Sequence, residues 1–139
     1  MAYWEWGDAA NPQVLGAISQ GFGPHSRAQW LALTRPQLRP DGAGFKPHYD
    51  PAIAVPLRRI TPELVRAGEA ALGHAYDQVR CPTLLLRGAQ SDLLSAATAQ
   101  AMTERGPTAR RVEFAGVGHA PTLLQPDQVQ VVQAFLHGP

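Results

Sequence analysis

Pro82-Thr83-Leu84-Leu85-Leu86-Arg87-Gly88 is a continuous apolar run of strand length that ends in glycine, the pattern of a parallel strand covered on both faces. Downstream, Ser95 to Arg105 predicts a helix closed by Gly106-Pro107, and Arg110 to Phe114 predicts the next strand. Pro126 opens a last helix with Val129, Val132 and Leu136 on one face. Strand, helix, strand, helix in that order implies a crossover connection and a parallel sheet. Asp92 follows the first of these strands. His119, in Gly116-Val117-Gly118-His119-Ala120-Pro121, follows the second. Both are therefore expected beyond the carboxyl ends of neighbouring parallel strands, where α/β sheets place their ligands.

The first half reads differently. Ala2 to Trp6 alternates in a period of two and suits a short strand, Gly7-Asp8 and Asn11-Pro12 supply turns, and Gln13 to Ile18 fits a second short strand. Gly21-Phe22-Gly23-Pro24 interrupts the chain, after which Ser26-Arg27-Ala28-Gln29 has the form of a capping box ahead of Trp30, Leu31 and Leu33. A short helix is expected from Ser26 to Thr34. Prolines and glycines are dense from Arg35 to Pro62, which predicts mostly loop, with Phe45 to Asp50 extended at most. Thr61 as N-cap and Pro62 at the first helical position start a helix to about Gln78, with Leu64, Val65, Ala67, Ala71 and Leu72 forming one apolar stripe.

Composition excludes several classes of partner. With 45% hydrophobic and 17% charged residues in 139, the chain matches one folded domain rather than a disordered tail. Twelve basic and eleven acidic residues give a net charge of +1 without a block of one sign, so neither nucleic acid nor an anionic membrane is an expected partner. No run is long and apolar enough for a membrane helix, and the N-terminus has no leader-like pattern. Cys81 is the single cysteine, which precludes an internal disulfide and agrees with the reducing cytoplasm as the expected compartment.

Arg80-Cys81-Pro82-Thr83-Leu84-Leu85-Leu86-Arg87-Gly88, the acid in Ser91-Asp92, and Gly118-His119-Ala120-Pro121-Thr122-Leu123 together resemble the C-terminal third of an α/β-hydrolase-fold enzyme. Phe22-Gly23-Pro24, Trp30 and His48-Tyr49-Asp50-Pro51-Ala52-Ile53 resemble the helical lid of the same family, and Tyr3-Trp4-Glu5-Trp6-Gly7-Asp8 its first strand. Between Leu15 and Phe22 a complete member carries most of its sheet, with the His-Gly oxyanion segment and the serine elbow. This chain has no G-x-S-x-G and resembles such an enzyme with an internal deletion. The fold class expected is α/β: a truncated α/β-hydrolase-like domain with a small parallel sheet, flanking helices and a lid-derived helical segment. Its expected parts are residues 1–21 as strand and junction, 22–78 as lid-derived segment and 79–139 as the strand-helix-strand-helix unit.

The resemblance implies that Asp92 is the triad acid and His119 the triad base, with the carboxylate orienting the imidazole. A nucleophile is less evident. Ala17-Ile18-Ser19-Gln20-Gly21 has an elbow-like A-x-S-x-G form, but Gly21-Phe22-Gly23-Pro24 is poor material for the helix an elbow requires. Cys81 begins the strand that ends near Asp92, about 17 to 20 Å away at the usual rise, and is expected as a buried strand cysteine. Ser91 is expected to cap its turn. His119 could instead activate water. Alternatively, a divalent metal such as zinc held by His48, Asp50, Asp92 or His119 could supply hydroxide, although the spacing matches no zinc signature. His25, His74 and His137 suit surface or capping roles.

A small sheet leaves unpaired edges, so self-association is expected, most simply as a homodimer. The pocket so formed would have Trp30 and Tyr49 as apolar walls. The function expected is hydrolysis of activated carboxylic or phosphoric esters by water, assisted by Asp92 and His119 and requiring no cofactor. The alternatives are a non-catalytic fragment that folds by association and the metal-dependent hydrolase.

Overall fold

The computed structural model describes residues 21–138. The strands expected at residues 2–6 and 13–18, together with Trp4, Trp6 and Ser19, lie outside the described residues. Contacts divide the chain into two compact units, one including His25–Ile60 and the other joining Gly21–Pro24 to Thr61–Pro139.

In the first unit, helix α1 (Arg27–Thr34) begins where the capping box predicts. Ser26 Oγ accepts the Gln29 N–H, and the Gln29 side chain accepts the Ser26 N–H at 2.8 Å. The proline-rich region is more ordered than expected, because Arg35–Gln37 forms a 3-10 turn and strands β1 (Leu38–Asp41) and β2 (Gly44–Pro47) make an antiparallel hairpin. Gly42, with φ of 58°, supplies the left-handed residue that a two-residue hairpin loop needs. Pro40 is tolerated because, among the described residues, each strand of the hairpin has one neighbour, so a missing N–H on the outer side breaks no ladder bond there. After a 3-10 turn at Pro51–Ile53 comes a single helical turn, α2 (Ala54–Leu57).

The second unit contains α3 (Pro62–Asp77), β3 (Leu84–Gly88), α4 (Ala96–Glu104), β4 (Arg110–Phe114) and α5 (Pro126–His137). Strands β3 and β4 are parallel neighbours, with Leu84 opposite Arg110 and Gly88 opposite Phe114. Each helix starts on an expected signal: Thr61 Oγ1 accepts the Leu64 N–H, Ser95 Oγ accepts the Thr98 N–H, and Pro126 occupies the first turn of α5. Ala99, Ala109, Phe114 and Val117 form the buried apolar core, together with the buried side chains of Arg87 and Gln128. No described helix is long and apolar enough to cross a membrane.

Two expectations need correction, those for Cys81 and for the inward face of α5. Cys81 is exposed, because the strand starts only at Leu84 and the cysteine precedes it in a bend. The apolar stripe of α3 exists but is uncovered, with Leu72 73% exposed and Leu64 and Val65 also at the surface. In α5, Leu136 is 70% exposed whereas Gln128 is buried. The inward face is therefore rotated from the one predicted.

Helix α3 is fastened to the end of α4 by polar contacts. Tyr76 donates its hydroxyl proton to the Met102 carbonyl at 2.7 Å, and Arg105 engages both oxygens of Asp77 and the Gly73 carbonyl. The hydrogen bonds from Arg105 hold the Asp77 carboxyl below the usual carboxylate range. A depressed folded-state value contributes stability above the unfolded carboxylate pKa of about 3.9, and that contribution is lost as the pH falls through the folded value. Asp77→Asn is thus expected to be less stable than wild type at pH 7, with the gap narrowing once the solution is more acidic than about pH 4. Urea melts of both proteins at pH 7 and pH 3 check this, and a gap that is constant with pH would refute it.

Candidate active site

The chemistry expected of this chain falls on two loops of the second unit. Residues 89–95 follow β3, and residues 115–125 follow β4. Because the strands are parallel neighbours, both loops leave the sheet at the same end. Backbone bonds carry the pairing past the strands: Ala89 N–H donates to Phe114 O and Gln90 N–H to Val117 O, each at 2.9 Å. Glycine permits this closeness. A Cβ on Gly88 would overlap the carbonyl oxygens of Val117 and Gly118.

The 89–95 loop is a set of tight turns. Ser91 N–H donates to the Gly88 carbonyl at 3.0 Å, and Ser91 Oγ accepts the Leu94 N–H at 3.0 Å, which is the expected capping role. The 115–125 loop is braced from α5, where buried Gln128 accepts the Leu123 N–H on Oε1 at 2.8 Å. Gln125 Nε2 donates to the Pro24 carbonyl at 2.7 Å, tying the loop to the Gly21–Pro24 segment.

His119 is exposed at the mouth between these loops, and its Nδ1 faces Ser91 Oγ at 3.4 Å. The serine oxygen already accepts one N–H. It serves the ring with its proton or its remaining lone pair according to the imidazole tautomer. If Nδ1 carries the proton, Nε2 is left as an acceptor able to act as a base. Asp92 sits beside Ser91 on the same loop and is exposed. Among the described residues no hydrogen bond or ion pair joins it to His119. The imidazole contact made by Ser91 is the element the sequence reading missed, and its only advance signal was adjacency to Asp92.

The other candidates are placed as follows. Trp30 lies on α1 of the first unit, half-buried, with its ring 4.5 Å from that of His25 at 47°. Tyr49 follows β2 and is 62% exposed. His48 donates its N–H to the Gln37 carbonyl at 2.7 Å, and Asp50 accepts the Ala52 N–H at 2.8 Å as the cap of a 3-10 turn. Among the described residues no three His, Cys, Asp or Glu side chains are placed to hold a metal ion. His74 is exposed on α3, and His137 lies in the last turn of α5.

No family model matches the chain. It is 44% identical over 128 residues to a 3-hydroxybutyrate-oligomer hydrolase of Cupriavidus necator, a match that covers 89% of this chain and 44% of that protein. Among solved structures, an alpha/beta hydrolase from Novosphingobium aromaticivorans is similar with a TM-score of 0.68 and 26% identity, over 96% of this chain and 47% of that one. E-2-(acetamidomethylene)succinate hydrolase superposes with a TM-score of 0.72 at 20% identity, over 98% of this chain and 48% of its own. The chain spans about half the length of the proteins it matches.

Proposed function

We propose that this chain, which belongs to the α/β-hydrolase fold family and spans part of that fold, acts in hydrolysis of carboxylic esters, with His119 as general base and Asp92 as the acid that steadies it. The carrying observation is that the loops after two adjacent parallel strands are stitched together by backbone bonds, with His119 Nδ1 turned toward the Asp92-bearing loop. That orientation directs Nε2 away from the loop, where a water or hydroxyl could give up its proton. Esters are preferred to phosphoesters because a similar curated protein is a 3-hydroxybutyrate-oligomer hydrolase, and oligomers of a hydroxy acid are joined by ester bonds.

The sequence holds no G-x-S-x-G, so the nucleophile proposed is water. The rest of the pocket is proposed to come from association of copies, in the simplest form a dimer. The exposed apolar residues of α3 support that reading, as does a parallel sheet of two strands among the described residues. A competing reading is a non-catalytic piece that folds against a complementary half; it draws on the 44% share of the curated relative.

A direct test measures hydrolysis of p-nitrophenyl butyrate, a 3-hydroxybutyrate dimer and a phosphotriester by wild type and Asp92→Asn, with and without EDTA, alongside light scattering. Ester turnover that resists EDTA and falls about 10²- to 10⁴-fold in the variant is expected. Wild type without turnover would favour the competing reading, and loss of activity with EDTA alone would move the chemistry to a metal. A folded monomer at micromolar concentration would remove the shared pocket.

A further inference from the structure

Arg87 is the one charged residue in an otherwise apolar strand, and it is 5% exposed. A buried guanidinium is costly to desolvate unless its donors are satisfied. Its donors converge on a single loop. Nε donates to the Leu94 carbonyl at 2.7 Å, one terminal nitrogen to the Ala89 carbonyl at 3.3 Å, and the other to the Ser91 carbonyl at 3.5 Å. On the neighbouring strand Glu113, its partner in register, faces the same terminal nitrogen as Ala89, with an oxygen at 3.1 Å. Three carbonyls of a seven-residue loop thus point inward at one planar cation, a fork that the single ammonium of lysine cannot reproduce.

From this geometry we infer that Arg87 is a positioning residue for the proposed base: it holds the 89–95 loop in the shape that sets Ser91 Oγ against His119. The chain of contacts is short. The guanidinium fixes the carbonyls of Ser91 and Leu94, which bracket the turn closed by Ser91 Oγ and the Leu94 N–H, and the same Oγ faces His119 Nδ1. Asp92 lies within that bracket. Arg87 touches no reacting atom in this scheme and acts only through the loop.

The test compares wild type with Arg87→Met, Arg87→Lys and Ser91→Ala in the full chain. Hydrogen exchange reads the backbone, and the Cε1–H resonance of His119 at fixed pH reads the ring. The expected result for Arg87→Met and Arg87→Lys is exchange at least tenfold faster at Leu94 with α5 unaffected. The His119 resonance should move in the direction produced by Ser91→Ala, since each change takes the hydroxyl from the ring. The kinetic arm rests on the hydrolase reading above: kcat for the ester should fall about tenfold or more in both Arg87 variants with KM held within about twofold, as expected when only a group acting in the transition state is displaced.

The arms fail separately. A wild type without ester turnover sinks the hydrolase reading, while the exchange and resonance measurements still decide the role of Arg87. If Arg87→Met does not fold, Arg87→Lys carries the decision. Wild-type exchange and resonance in the lysine variant would overturn the inference, as would loss of protection spread evenly over the whole second unit, which would make Arg87 a general core residue.

Discussion

His119→Ala should lose ester hydrolysis by about three orders of magnitude, within the 10²- to 10⁴-fold range that a positioned general base contributes, yet keep its fold. The dissociation of the two effects follows from the environment of the ring. His119 is exposed, and the hydrogen bond recorded for it is a long 3.4 Å contact to Ser91. Its removal should therefore change stability by about 0.5 kcal/mol or less, the usual range for surface substitutions. His74→Ala, on the exposed face of α3, serves as the control and should retain wild-type turnover. Rates on the 3-hydroxybutyrate dimer together with thermal melts of the three proteins give the answer. If His119→Ala hydrolyses the dimer as fast as wild type, the loop after β4 is not where the chemistry occurs.

Much of the second unit was legible because its signals are local and agree with one another. β4 falls on the residues predicted for it, α4 is bounded by the serine and the Gly106-Pro107 pair that announce it, and β3 loses only Pro82 and Thr83 from its expected start. The same locality explains the failures. Period tells which face of α3 is apolar but not what covers it, and Leu72 on that face lies in solvent. The hairpin of β1 and β2 was hidden by a high density of proline and glycine, although Asp41-Gly42 is itself a hairpin signal. Cys81 was assigned to a strand whose proline postponed its beginning.

At the candidate site, sequence placed the loops and missed the contacts. Asp92 and His119 can be assigned to neighbouring strand ends from element order alone. Which side chain meets the imidazole depends on turns that only tertiary bonds define, and there Ser91 is the group turned toward it. Arg87 was passed over for a related reason. A lone charge inside an apolar run shows no role until the carbonyls that satisfy it are seen. Both omissions concern side chains whose partners lie in irregular backbone, where neither period nor propensity carries information.

Gly88→Ala and Gly118→Ala should each destabilise the second unit by about 3 kcal/mol or more, at or above the upper end of what overpacking costs in a close-packed interior. The reason is what an added methyl would meet. At Gly88 it would overlap the carbonyl oxygens of Val117 and Gly118, and at Gly118 the carbonyl of Gly21, so every obstacle is backbone that cannot rotate away. Neither residue has a positive φ, and the penalty is therefore steric rather than conformational. Two other glycines separate these causes. Gly116 has φ of 74° and open space around its Cβ position, so alanine there should cost only the left-handed penalty of about 1 to 2 kcal/mol. Gly68 sits inside α3 with ordinary φ and nothing nearby, and alanine should stabilise by about 0.5 to 1 kcal/mol. Denaturant midpoints for the four variants should thus order as Gly68→Ala above wild type, then Gly116→Ala, then the two contact glycines. Those two should also weaken ester turnover in whatever fraction remains folded, because parting the strand ends moves His119 from the loop that carries Ser91 and Asp92. Gly88→Ala or Gly118→Ala at wild-type stability would mean that the loops do not approach as closely as the backbone bonds from Ala89 and Gln90 require.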